Sequence, residues 1–313
     1  MNPVLCVVIP CYNEQEVIKQ TADSLCFYIK KLIVDKKISS KSYICFVDDG
    51  STDETWMQIR EISLKNSLCS GLKLSNNFGH QNALLAGMFS QKNKSDCIIT
   101  IDADLQDDIC VIEEMLEKYS LGNKIVYAVR DNRESDTFGK RYSAQTFYKF
   151  MILLGVNTIY NHADFRLIDK QVVSSLEGFK ETNISLRGIF PYMGFKHDVV
   201  YFKRKARELG STKYSLGKML GFAWEGITSF NTSFLRLVTL IGVLMFFTSI
   251  FTTIWVITAY FQDKTVAGWA SLLLVLSLFS GINMICLGII GEYVGKIFFE
   301  VKQRPRFIVE EEI

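Results

Sequence analysis

Cys97-Ile98-Ile99-Thr100-Ile101-Asp102-Ala103-Asp104 runs five strand-forming residues into two aspartates one residue apart. A short apolar run closed by turn-type residues reads as a buried strand. Carboxylates at the carboxyl end of such a strand can hold a divalent cation against a diphosphate, because hard oxygen donors suit Mg²⁺ or Mn²⁺ and those ions pair readily with phosphate oxygens.

Working outward from that strand, the same alternation recurs on both sides. Residues 4–9, 43–47, 72–74 and 125–129 read as further strands, and 14–32, 82–90 and 109–119 read as helices. Ser51-Thr52-Asp53-Glu54 offers a capping box for another helix, to about residue 68. Strands alternating with helices predict an α/β fold with a mostly parallel sheet and helices on both faces. Such sheets place ligands outside the carboxyl ends of their strands. Pro10-Cys11-Tyr12-Asn13-Glu14, Asp48-Asp49-Gly50-Ser51 and the aspartate pair all fall at such ends.

The 313 residues are 49% hydrophobic, enough for a core and a lipid-facing part. A net charge of +2 is too small to suggest a nucleic-acid partner. Eight scattered cysteines form no C-x-x-C pair, so the sequence predicts neither a zinc site nor a disulfide framework. No basic region precedes the first apolar run, so no signal peptide is expected.

Residues 237–260 and 266–291 each carry no charge over a length that crosses a hydrocarbon core of about 30 Å. Lys203, Arg204, Lys205, Arg207, Lys213 and Lys218 precede them, and Lys296, Lys302, Arg304 and Arg306 follow, which predicts that both flanks are cytoplasmic. Leu216, Met219, Leu220, Ala223, Trp224 and Ile227 recur at helical spacing. They read as an interfacial helix or as an ordinary helix closing the domain. The expected organisation is a cytosolic domain over 1–203, a juxtamembrane amphipathic segment over 204–234, two transmembrane helices within 235–291 and a cytosolic tail over 292–313. Gly281, Gly288, Gly291 and Gly295 leave a small-residue stripe suited to helix packing.

Pro10-Cys11-Tyr12-Asn13-Glu14 and Asp48-Asp49-Gly50-Ser51 resemble the opening motifs of the family-two glycosyltransferases. Asn77-Phe78-Gly79-His80-Gln81-Asn82 and Asp102-Ala103-Asp104-Leu105-Gln106-Asp107 match in order and spacing. Ala163-Asp164-Phe165-Arg166-Leu167, then Arg207-Glu208-Leu209-Gly210-Ser211-Thr212-Lys213-Tyr214, then Gly291-Glu292-Tyr293-Val294-Gly295-Lys296 extend the likeness. Over nearly the whole chain it is similar to the polyprenyl-phosphate glycosyltransferases, nearest to the bacterial bactoprenol-phosphate glucosyltransferases that feed O-antigen modification.

That resemblance implies a nucleotide-sugar-binding domain of the GT-A type at the cytoplasmic face of the bacterial inner membrane, anchored by a two-helix hairpin. It implies a UDP-sugar donor, glucose first, a polyprenyl phosphate acceptor and a homo-oligomer. Pro10, Tyr12, Asn13, Glu14, Asp48, Asp49, Asn77, Gly79, Asp102, Ala103 and Gln106 would line the donor, and Asp104 would ligate Mg²⁺ or Mn²⁺. Asp164, Arg207 and Lys213 would join Asp104 in catalysis, Asp164 either as a base or as a carboxylate that positions a basic side chain. Asp107 and Asp108 read as first-turn acids, and His80 as a donor to a loop carbonyl. A processive polysaccharide synthase would need a Q-x-x-R-W motif and more spans, and a nicotinamide dehydrogenase would need G-x-G-x-x-G after the first strand. A non-catalytic membrane scaffold would not need all of these acids and bases.

Overall fold

The computed structural model describes residues 2–104, 106–130, 162–181, 184–202 and 269–313, with isolated positions between 238 and 262. It divides into two compact units. The first holds Met1–Tyr148, Asn157–Lys213 and Arg304–Ile313, and the second holds Lys149–Val156 and Tyr214–Gln303.

An eight-stranded sheet organises the first unit. Its strands are β1 (Leu5–Cys11), β2 (Tyr43–Asp48), β3 (Cys69–Leu74), β4 (Cys97–Thr100), β5 (Ile125–Arg130), β6 (His162–Asp169), β7 (His197–Phe202) and β8 (Val309–Glu312), in the order β7-β5-β6-β4-β1-β2-β3-β8. Helices α1 (Ile18–Val34), α2 (Thr55–Lys65), α3 (His80–Gln91), α4 (Val111–Ser120), α5 (Lys170–Leu176) and α6 (Leu186–Tyr192) connect them. Side chains on a strand alternate between faces. Leu5, Val7 and Ile9 therefore join Leu25, Ile29, Ile112 and Met115 in one core, while Cys6 and Val8 join Leu84, Met88 and Val172 in the other. Burial on both faces explains why β1 is a continuous apolar run rather than an alternating one.

The pairing corrects the expected sheet in two places. β4, β1, β2 and β3 lie side by side and parallel, in keeping with a mostly parallel sheet, but β6 inserts between β4 and β5 and runs antiparallel to both. The last residues are not simply a tail: β8 pairs antiparallel with the edge strand β3. Backbone bonds of 2.9 Å in both directions join Gly71 and Ile313. Lys73, Arg60 and Lys94 meet Glu310, Glu311 and Glu312 in turn, at 3.0, 3.3 and 2.6 Å.

In the second unit, α7 (Trp269–Lys302) is a 34-residue helix. It continues past the expected end of the second span, through Gly291, Glu292 and Gly295. Among the described residues one segment, Phe279–Lys302, is long and apolar enough to cross a membrane. Its Met284, Ile285, Leu287 and Ile290 are exposed. The other expected span and the amphipathic segment lie mostly or wholly outside the described residues.

Candidate active site

Two loops at the carboxyl ends of β1 and β2 are laced together. Asn13 takes a left-handed backbone, φ 55°, and its side-chain oxygen accepts the Thr52 N–H at 2.9 Å, while Ser51 Oγ accepts the Asn13 N–H at 3.0 Å. Thr55 Oγ1 accepts the Glu14 N–H at 2.9 Å, and Asp53 Oδ2 that of Gln15 at 3.3 Å. The predicted capping box is thus replaced. Ser51 serves the neighbouring loop, the Glu54 N–H that the box would give to Ser51 goes to Gln15 Oε1 at 3.1 Å, and α2 starts later than that box required. Pro10 is buried, whereas Tyr12 stands 45% exposed above it.

The two acids after β2 take different parts. Asp49 accepts the N–H groups of Phe78 and Gly79 at 2.8 and 2.9 Å, so it holds the Asn77–Gly79 loop in place. Asp48 is fully buried, with Oδ1 lacking a hydrogen-bond partner, and that burial pushes its carboxyl above the usual range. Gly50 lies between the loops at φ 65°, where a Cβ would fall 2.6 Å from the Asn77 nitrogen. Only glycine meets both conditions. Asn77 itself is exposed and caps the Gly79 N–H at 3.1 Å.

Beyond β4, Ala103 is buried and its carbonyl accepts the Thr21 hydroxyl at 2.6 Å, tying the aspartate turn to α1. Asp102 and Asp104 flank it with partly exposed side chains, and Asp104 Oδ1 receives the Gln106 N–H at 3.3 Å. Gln106 is buried.

The antiparallel course of β6 brings a further aspartate here. Thr100 pairs with Arg166, so the start of β6 abuts the end of β4, and the Thr100 hydroxyl donates to the Asp164 carbonyl at 2.6 Å. Asp164 and Arg166 lie two apart on a strand, hence on one face, and their side chains form a buried ion pair. Arg187, at the start of α6, grips the same carboxylate with Nε to Oδ1 at 3.2 Å and Nη2 to Oδ2 at 2.9 Å. His80 Nε2 lies 3.6 Å from both Asp164 Oδ2 and Asp102 Oδ1. Burial opposes the charge on Asp164, yet His80, Arg166 and Arg187 outweigh it and hold the carboxyl well below the usual carboxylate range.

Among the described residues His80, the first residue of α3, meets two acids rather than the expected loop carbonyl. Arg166 was inside a quoted motif, and strand alternation could have coupled it to Asp164. Arg187 carried no local signal, since only the packing of α6 beside β6 brings it in. Arg207 and Lys213 lie outside the described residues.

Residues 6–176 match the model of glycosyl transferase family 2. The chain belongs to that family. It is a glycosyltransferase, with a mixed α/β sheet of the GT-A kind. It is 49% identical over 309 residues to an uncharacterized glycosyltransferase, YkoT, of Bacillus subtilis (strain 168), covering 99% of this chain and 92% of that one. It is 36% identical over 307 residues to a prophage bactoprenol glucosyl transferase homolog of Escherichia coli (strain K12), covering 97% of each. The crystal structure of a mycobacterial protein shares the fold, at a TM-score of 0.50 and 13% identity over 72% of this chain and 73% of the other.

Proposed function

We propose that this glycosyltransferase moves a hexosyl group, glucose first, from a UDP-sugar to the phosphate of a polyprenyl lipid at the cytoplasmic face of a bacterial membrane, with inversion. The observation that carries this reading is the convergence of Asp102 and Asp164 on His80, beside Asp104, at the carboxyl end of β4. Ligands of open α/β sheets bind at such ends.

On this reading Asp48, buried with an oxygen lacking a partner, accepts from the uracil, and Tyr12 flanks the base. Asn13 and Asp49 shape the walls by holding the loops, and Glu14, Asn77 and Gly79 complete them. Asp104, with Asp102 near, suits a divalent cation that keeps waters and substrate phosphates as its other ligands, since Mg²⁺ commonly takes only one or two carboxylates. Among the described residues no group of three or more His, Cys, Asp and Glu side chains is placed to hold a metal ion. When bound, Mg²⁺ or Mn²⁺ would neutralise charge growing on the departing diphosphate. The acceptor phosphate monoester has a second pKa near 6, so near neutrality it is already mostly the dianion.

Membrane attachment draws support from chain parity. The chain leaves the first unit at Lys213 and returns to it at Arg304. Two points of one folded unit share a side of the bilayer, so the crossings between them are even in number. On this reading the exposed apolar segment Phe279–Lys302 crosses once, and the uncharged residues 237–260 are its proposed partner span. Arg207 and Lys213 fit lipid headgroups, and the glycine stripe of α7 fits helix packing within a homo-oligomer.

Purified protein in detergent, given undecaprenyl phosphate and a panel of radiolabelled nucleotide sugars, tests the reading. UDP-glucose should yield glycolipid, and EDTA should abolish it. Absence of product with every donor, or undiminished product in EDTA, refutes it.

A further inference from the structure

Two guanidiniums share the carboxylate of Asp164, which leaves a local excess of positive charge beside the donor acids. Oδ1 receives Arg166 Nη2 and Arg187 Nε, and Oδ2 receives Arg187 Nη2. The two arginines differ sharply in access. The Arg166 side chain is 1% exposed and lies 5.1 Å from the centre of the Phe190 ring, whereas that of Arg187 is 52% exposed. Arg166 is the inner support and Arg187 the outward group.

The Arg187 fork is fixed at both ends. Asp164 holds the guanidinium, and Gln81 Oε1 accepts the N–H of Leu186 at 3.1 Å, tying the start of α6 to α3 one residue from His80. Rigid bidentate pairing of this kind aligns a planar donor set, and phosphate oxygens are among the anions a guanidinium matches best. A carboxylate so occupied is poorly placed to take a proton. An acceptor that arrives as a phosphate dianion has none to give.

We propose that Arg187, held in place by Asp164, binds a phosphate oxygen of the polyprenyl phosphate acceptor, and that Asp164 is a positioning residue and not a general base. This rests on the function proposed above. In the transfer, an acceptor oxygen forms the bond to C1 of the sugar as the bond from C1 to the donor diphosphate breaks. UDP leaves with that electron pair, and the phosphate dianion becomes a phosphodiester monoanion. No proton moves, so no base is needed. Arg187 orients the attacking phosphate and screens its charge from Asp102 and Asp104.

Steady-state kinetics with undecaprenyl phosphate, beside calorimetric binding of UDP, tests the assignment in wild type, Arg187→Gln, Arg187→Lys and Asp164→Asn. Arg187→Gln should raise the acceptor KM by about tenfold or more, the loss expected for a charge-assisted bond, with the UDP Kd within about twofold of wild type. Lysine should restore part of the acceptor affinity, since it supplies charge without the fork. Asp164→Asn should reproduce the rise in acceptor KM. The assignment is overturned if Arg187→Gln leaves the acceptor KM within about twofold, or weakens UDP as much as acceptor, which would put Arg187 on the donor. Should the Gln variant fail to fold, an unchanged acceptor KM in Arg187→Lys overturns it equally. A wild-type enzyme that transfers nothing to the lipid phosphate refutes the function and this assignment together. An active wild type with an indifferent Arg187 refutes the assignment alone.

Discussion

Asp49 receives the backbone N–H of Gly79 at 2.9 Å, so the second acid of the Asp48-Asp49 pair fixes the loop that walls the proposed donor site. Asp49→Asn replaces one of two acceptors by a donor facing an N–H. The expected cost is about 1–3 kcal/mol, or roughly 2–4 °C of Tm per kcal/mol. Asp48→Asn removes a charge that burial already disfavours and should keep Tm near wild type while weakening UDP. Thermal unfolding beside UDP calorimetry separates the two. Equal behaviour of both variants contradicts the division of labour.

Gly50→Ala should be more damaging than its size suggests. A left-handed backbone costs a non-glycine residue about 1–2 kcal/mol, and here the added carbon also meets the Asn76–Asn77 backbone. Lower Tm together with weaker UDP binding is expected, and a variant with unchanged UDP affinity argues against the packed loops.

Asp164 sets the pH behaviour. Its folded pKa lies below the unfolded value of about 3.9, so its stabilising effect is fully present above that value. It is lost only as pH falls through the folded pKa, well below the usual carboxylate range. Asp164 itself therefore titrates nowhere between about pH 6 and 9. The pH dependence expected of Asp164→Asn there is that of His80, which burial disfavours charging but Asp164 and Asp102 hold above the usual imidazole range, so the loss in Tm shrinks as pH rises through the His80 pKa. An acid limb of the rate profile that disappears in Asp164→Asn yet persists in His80→Gln would show Asp164 titrating, as a base does.

Deletion of residues 309–313 bares the edge of β3 and removes the partners of Arg60, Lys73 and Lys94, along with the bond from Trp56 Nε1 to Glu311 at 3.3 Å. At about 0.5–1.5 kcal/mol for each backbone bond lost, a marked drop in Tm is expected. Glu312→Gln alone should cost under about 1 kcal/mol, because its pair with Lys94 is exposed. Indistinguishable melting of the truncated and full chains would show β8 to be ornamental.

Much of this was legible from local pattern. Strands β1 to β5 and helices α1 to α4 fall within a few residues of their predicted limits, because burial on both faces leaves unbroken apolar runs between turn residues. The antiparallel pairing of β6 and β8 was not legible. Whether β6 runs with or against β4 depends on the course of the chain between residues 130 and 162, which periodicity does not encode. The site divides the same way. Asp102 and Asp104 stood out as acids at a strand end and Asp164 through the family resemblance, but Arg187 lies 23 positions from Asp164 in a segment with no charge pattern of its own. His80 was visible and misassigned, since its partners come from β4 and β6 rather than from its own loop.

Because β8 completes a sheet that residue 5 begins, everything between is threaded through one closed circuit. A ribosome delivers β3 long before its outer neighbour, so the nascent sheet waits with a bare edge until the last residues emerge. Completion of the catalytic unit is thereby timed by synthesis of all that precedes residue 309, and a polypeptide stalled short of it remains an unfinished enzyme.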